Sequence, residues 1–146
     1  MRISLITACL LLAAHTAMAA VPATVYKSPT CGCCQEYVSY LEKQGYTVTA
    51  INSDDMDGVK KRFGSTSLAS CHTTLIGGYT IEGHVPVAAI SKLLKDKPKI
   101  RGIAVPGMPA NSPGMGPEVK GTLKVYELAS NIDPTKPTAP KLFSVE

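Results

Sequence analysis

The sequence predicts an α/β protein in the thioredoxin-like arrangement, a three-layer sandwich followed by a Pro/Gly/Met-rich C-terminal extension. Three observations lead there. Apolar periodicity changes along the chain in the order strand, helix, strand, helix, hairpin, helix. A Cys-x-x-Cys pair, Cys31 and Cys34, falls at the junction of the first strand and first helix. The length of 146 residues, 45% hydrophobic and 18% charged, suits one compact domain and leaves little room for two.

Thr24 to Lys27 reads as a short strand, broken by Ser28-Pro29-Thr30. Cys34, Tyr37, Val38 and Leu41 then fall at the i, i+3, i+4, i+7 spacing of an amphipathic helix, and Gly45 ends it. Tyr46 to Ile51 is rich in β-branched residues and predicts a second strand. Ser53 is placed to cap a short helix that runs through Phe63 and closes at Gly64. Thr73 to Ile76 and Tyr79 to Glu82 flank Gly77-Gly78, the signal for a two-residue hairpin. Pro86 suits the first turn of a helix on which Val87, Ile90 and Leu94 share a face.

Beyond Lys99 the composition shifts, and residues 106–146 hold seven of the eleven prolines. Gly107-Met108-Pro109 and Pro113-Gly114-Met115-Gly116 read as one long loop, and Leu123 to Leu128 alternates like an additional edge strand. At the other end, Met1-Arg2, an apolar run from Ile3 to Ala14 and the small-x-small Ala17-Met18-Ala19 together form a cleavable signal peptide. The run is too short to span a bilayer. Ile6-Thr7-Ala8-Cys9 resembles a lipoprotein box only faintly, because the apolar run continues past Cys9. The expected organisation is therefore residues 1–19 as signal peptide, 20–100 as the thioredoxin-like domain, 101–130 as the extension and 131–146 as a flexible tail. The mature form is not membrane-embedded. A net charge of +4, spread without a basic, aromatic-interleaved face, argues against nucleic-acid binding.

Removing the signal peptide leaves Cys31, Cys33, Cys34 and Cys71. In an oxidising compartment four cysteines suggest two structural disulfides. The spacing opposes this, because the adjacent Cys33 and Cys34 pair poorly and three thiols crowd into four residues. Cys31 and Cys34 have the spacing of disulfide oxidoreductases, in which a helix N-terminus lowers the first thiol's pKa. Cys33 is surplus to that mechanism, whereas thiolates bridging soft metal ions would use it.

Other residues join the metal reading. Cys71-His72 precedes the third strand, where an oxidoreductase usually carries a cis-proline, yet no proline lies between Pro29 and Pro86. His84 follows the hairpin, and Met108 and Met115 sit in polar, Gly/Pro-rich sequence. Each has a plainer role open to it: His72 an ordinary loop residue, His84 a cap for the helix near Pro86, the methionines loop residues. Met56 reads as core packing, and Lys60-Lys61-Arg62 as a solvated face. Taken together, thiolate, imidazole and thioether select copper, since zinc has little use for thioether sulfur. Asp54, Asp55 and Asp57 lack the spacing of a calcium loop.

Lys27-Ser28-Pro29-Thr30-Cys31-Gly32-Cys33-Cys34, Cys71-His72-Thr73-Thr74, Gly78 to Pro86, Pro106-Gly107-Met108-Pro109 and Ser112-Pro113-Gly114-Met115 resemble, in order, the CopG family of exported copper-resistance proteins. The resemblance spans roughly residues 22–128. It implies a thioredoxin-like domain whose extension completes a metal site holding a thiolate-bridged copper cluster. It also implies Cu(I)/Cu(II) interconversion in the periplasm, with a copper efflux system or a redox partner. Carried onto this chain, Cys31, Cys33, Cys34 and Cys71 would be thiolate ligands, His72 and His84 imidazole ligands, and Met108 and Met115 thioether ligands. Two alternatives remain at this level: a thiol–disulfide oxidoreductase using Cys31 and Cys34, and a copper chaperone without redox chemistry.

Overall fold

The computed structural model describes residues 20–130 and 139–146; the expected signal peptide, 1–19, and residues 131–138 of the expected tail lie outside the described residues. The chain runs β1 (Val21–Lys27), α1 (Gly32–Lys43), β2 (Tyr46–Asn52), α2 (Met56–Phe63), a 3₁₀ turn at Thr66–Leu68, β3 (Thr73–Ile76), β4 (Tyr79–Glu82), α3 (Val87–Asp96), β5 (Gly102–Ala104), β6 (Lys124–Leu128) and β7 (Leu142–Val145). The strands form one sheet in the order β2-β1-β3-β4-β5-β6-β7. β1 pairs parallel with β2 and antiparallel with β3, which turns back into β4. That quartet, with its helices, is the thioredoxin-like core the sequence predicts.

α1 buries Cys34, Tyr37, Val38 and Leu41, the predicted stripe. With Ile90 and Leu93 of α3 it covers the sheet face formed by Ala23, Val25, Ile76 and Ile81. Successive strand residues point to opposite faces, so Tyr26 lies on the other side, where its ring meets Phe63 of α2 at 5.2 Å. Gly77 and Gly78, at φ of 58° and 84°, form the predicted hairpin turn.

Four expectations are corrected. The cap of α2 is Asp55, whose carboxylate accepts from the Gly58 amide at 2.8 Å; Ser53 lies outside the helix and its hydroxyl accepts from the Asp55 amide. Lys60 is not on a solvated face: it is buried and paired with Glu82 of β4 at 2.6 Å, because α2 packs against β1 and β3 and this side chain turns inward. The stretch after Lys99 contains β5, too short at three residues to show any alternation. β5 runs parallel to β4 so closely that a Cβ on Gly102 would stand 1.7 Å from the Thr80 carbonyl oxygen, and only glycine fits.

The fourth correction concerns the expected flexible tail, 131–146, of which Leu142–Val145 form β7 against β6. The physical reason is β6 itself, whose outer edge would otherwise present unpaired amides and carbonyls. The Glu127 amide donates to the Lys141 carbonyl at 2.8 Å, the Glu146 amide to the Leu123 carbonyl at 2.9 Å, and Phe143 packs on the core. Among the described residues no helix is long and apolar enough to cross a membrane.

Truncation after Pro140 is expected to lower stability by about 1–3 kcal/mol, from the lost contact of Phe143 and the ladder bonds. Urea midpoints and hydrogen exchange at the Glu127 amide measure it. An unstructured tail would leave both unchanged.

Candidate metal centre

α1 begins immediately after Cys31, whose sulfur serves as the helix cap and accepts from the Cys34 amide at 3.3 Å. This puts three cysteine sulfurs on the first turn of one helix. Cys31 and Cys34 are joined as a disulfide, while Cys33 and Cys71 are free thiols. The Cys33 sulfur lies 3.6 Å from that of Cys31 and 3.9 Å from that of Cys71, although Cys71 is 38 residues further along the chain. The crossing is made by the loop before β3, whose antiparallel pairing with β1 returns the chain to the point where α1 starts.

The same loop carries His72, and the segment after β4 carries His84. The Cys71 sulfur lies 2.9 Å from Nε2 of His84 and 3.4 Å from Nδ1 of His72. Nδ1 of His84 is 2.7 Å from the Pro113 carbonyl, which can only accept, so Nδ1 carries the proton and Nε2 presents its lone pair to Cys71. Nε2 of His72 is buried without a partner. Both imidazoles rest against Tyr37, with ring centroids 4.5 Å and 5.4 Å away, and they meet each other edge-on at 4.7 Å. The Tyr37 hydroxyl donates to the Val85 carbonyl at 2.7 Å, which holds the ring in place beneath them.

Burial pushes His72 well below its ordinary pKa, and the neighbouring His84 and Lys60 push in the same direction. Burial also lowers His84. Both are therefore neutral imidazoles at neutral pH, the form that ligates metal. The Cys71 thiol is pushed up to about 11 by burial and by Cys33. A metal ion would reverse that balance, since its charge favours the thiolate.

The extension passes over this site and is fastened to it on two sides. The Gly107 amide donates to the Ala69 carbonyl at 3.1 Å, and the Ser70 hydroxyl donates to the Gly107 carbonyl. Further on, Pro113 is held by His84, and Gly114, at φ +79°, lies so close to α1 that a Cβ there would stand 2.9 Å from the Tyr37 amide nitrogen. Met108, 58% exposed, follows Gly107, and the half-buried Met115 follows Gly114. The predicted cysteines and histidines thus converge, while the methionines stand on the loop fastened above them. His84 is not the cap of α3, whose first amide, that of Val87, donates instead to the Tyr40 hydroxyl at 2.9 Å.

Sequence reasoning missed the layer behind the donors. Glu82 is fully buried; it accepts from the Ser70 amide at 2.7 Å, from Lys60 at 2.6 Å and from the Thr73 hydroxyl at 2.6 Å. One signal for it was available: Glu82 is the only Asp, Glu, Lys or Arg between Arg62 and Lys92. Tyr37 read as an ordinary core position because helical spacing does not reveal what lies across the interface.

Two donor groups result. The sulfurs of Cys31, Cys33, Cys34 and Cys71 all lie within 4.8 Å of one another, as do donor atoms of Cys71, His72 and His84. Cys71 belongs to both. Sulfur and imidazole in this proportion suit soft or borderline ions, and a shared thiolate can bridge two of them. The sulfurs of Cys31 and Cys34 become such donors only when their disulfide is reduced.

The family described as "Protein of unknown function, DUF411" matches residues 68–115. No curated protein sequence matches the chain. Two solved structures do, both at 35% sequence identity. "Copper resistance protein copG, Form 2" superposes with a TM-score of 0.74 over 88% of this chain and 99% of the other. Form 1 gives a TM-score of 0.73 over 88% and 98%.

At pH 8, with the disulfide intact, Cys71 is expected to react with iodoacetamide roughly 100-fold more slowly than an unperturbed cysteine, because so little of it is thiolate. Cys33→Ser should speed the reaction by removing one of the two causes of the raised pKa. Peptide mass mapping follows both rates; the same Cys71 rate in variant and wild type would mean that Cys33 has no influence.

Proposed function

This chain belongs to the CopG family, and on that footing we propose that it is an exported, periplasmic copper-binding protein of copper resistance. It holds a thiolate-bridged copper cluster and interconverts Cu(I) and Cu(II). The observation that carries this reading is the convergence of four cysteines and two histidines from three separate segments, with Cys71 common to both donor groups. In this reading Cys31, Cys33, Cys34 and Cys71 are the thiolates, His72 and His84 the imidazoles, and Met108 and Met115 the thioethers supplied by the extension.

The roles follow from the local chemistry. Nδ1 of His84 is occupied by the Pro113 carbonyl, which aims Nε2 at the metal position. Tyr37 keeps the imidazoles from turning away. The start of α1 favours negative charge, so thiolates gathered there repel one another less. Bridging sulfur spreads charge between copper ions, and one-electron exchange with a redox partner then demands little rearrangement. Cys31 and Cys34 join the set after a dithiol reductant has supplied two electrons and two protons to open their disulfide. Once released, copper passes to an efflux system.

The Cys31–Cys34 disulfide favours a second reading, a thiol–disulfide oxidoreductase. That mechanism leaves Cys33, His72 and His84 without work, and its usual proline is replaced by Cys71-His72.

Reduced protein reconstituted with copper is expected to bind more than one ion per chain and to develop thiolate-to-copper absorption as air oxidises it. Cys33→Ser should lower the stoichiometry and alter the spectrum. Weakly held, sub-stoichiometric copper together with insulin reduction that survives Cys33→Ser would establish the oxidoreductase instead.

A further inference from the structure

Behind the donors lies an ion pair that the proposed chemistry does not use. Lys60 of α2 and Glu82 of β4 are 2.6 Å apart, with side chains 7% and 0% exposed. Burying two charges costs desolvation energy that their attraction often fails to recover, and an apolar pair of the same size frequently stabilises a fold as well or better. An apolar pair could not accept hydrogen bonds. Both carboxylate oxygens of Glu82 do accept them, and their donors are placed around the metal centre. Oε1 takes the amide of Ser70, the residue before Cys71, and Oε2 takes the hydroxyl of Thr73, the residue after His72. Lys60 also reaches the Thr73 hydroxyl at 3.4 Å.

Glu82 is joined to the rest of the centre as well. The next residue, Gly83, donates its amide to the His72 carbonyl at 2.9 Å, and the one after that is His84. The Glu82 carbonyl accepts from Val105 at 3.0 Å, at the start of the loop that carries both methionines. Ser70, held by Glu82 through its amide, holds Gly107 of that loop through its hydroxyl.

We propose that Glu82, with its charge balanced by Lys60, is the positioning residue of this centre: it clamps Ser70 and Thr73 so that Cys71 faces Cys33 of α1 and His72 stays beside Cys71. The loop has no proline to stiffen it, and the buried carboxylate fixes it from behind. This inference rests on the copper reading for its consequence, though not for its geometry.

Two double variants separate the clamp from the charge, since neither leaves a buried ion unpaired. Lys60→Met/Glu82→Gln keeps an amide oxygen for Ser70, and the Thr73 hydroxyl can rotate to accept from the amide nitrogen. Lys60→Met/Glu82→Leu fills similar space and accepts nothing. Cu(I) affinity is measured by competition with bathocuproine disulfonate. The Gln variant is expected to stay within about threefold of wild type, and the Leu variant to weaken by about 10–100-fold, as when a partner behind a metal ligand is lost. In metal-free, fully reduced protein, Cys71 of the Leu variant should alkylate several-fold faster than in wild type, with Cys33 unchanged.

Equal affinity in the two double variants, whether retained or lost, would overturn the clamp, as would equal Cys71 alkylation. If wild type itself binds no copper, the copper reading fails, while the alkylation contrast still decides the clamp. Should the Leu variant not fold, Thr73→Val in wild type removes one clamped donor. Faster Cys71 alkylation there supports the proposal, and an unchanged rate overturns it.

Discussion

The antiparallel register of β3 on β1, which sets Tyr26 opposite Thr73, is the constraint on which the candidate metal centre depends. β1 leads into α1 through Cys31, and β3 is preceded directly by Cys71-His72. Pairing the two strands head to tail therefore brings the end of one beside the start of the other. A slip of one residue would exchange the faces of β3 and carry Cys71 away from Cys33. The hairpin at Gly77-Gly78 transmits the same register to β4, and so to Glu82 and His84. Donors that are widely separated in sequence owe their closeness to this ladder, and no direct bond between them is needed.

That placement requires the core to accept polar groups. His72, His84, Glu82 and Thr73 are all fully buried, and each such group is costly unless it is paired. Most are: Glu82 by three donors, Thr73 by the Glu82 carboxylate and His84 by the Pro113 carbonyl. Nε2 of His72 is the exception at the centre, a buried nitrogen without a partner. Satisfied polar groups thus stand behind the donors, and an unsatisfied one stands among them. The extension takes part in this arrangement, because its carbonyls at Gly107 and Pro113 complete bonds that the thioredoxin-like core leaves open.

Much of the fold was legible because it rests on local signals. The α1 stripe, the Gly-Gly hairpin and the β-branched β2 each announce themselves within a few residues. β5 and β7 did not, since a three-residue strand has no period and a terminal strand owes its existence to the edge of β6. Ser53 looked like the cap of α2 because a capping signal tolerates a shift of a residue or two; the Asp55 carboxylate, reaching the Gly58 amide, is the better acceptor. Lys60 belonged to a run of three basic residues and read as solvated, although one of the three turns inward to Glu82.

The sequence by itself determined the candidate donors: four cysteines, two histidines and two methionines, with three of the sulfurs on the first turn of a helix. These follow from composition and spacing along one segment, which are local properties. Only the tertiary structure decided how the inventory combines. It joined Cys31 to Cys34, made Cys71 common to the sulfur group and the histidine group, selected the His84 tautomer through Pro113, and put Glu82 behind the loop. Apart from the Cys31–Cys34 disulfide, which closes within one helical turn, each of these is a contact between segments distant in the chain. Their geometry is set by sheet register and helix packing, for which no stretch of sequence carries a period or a motif.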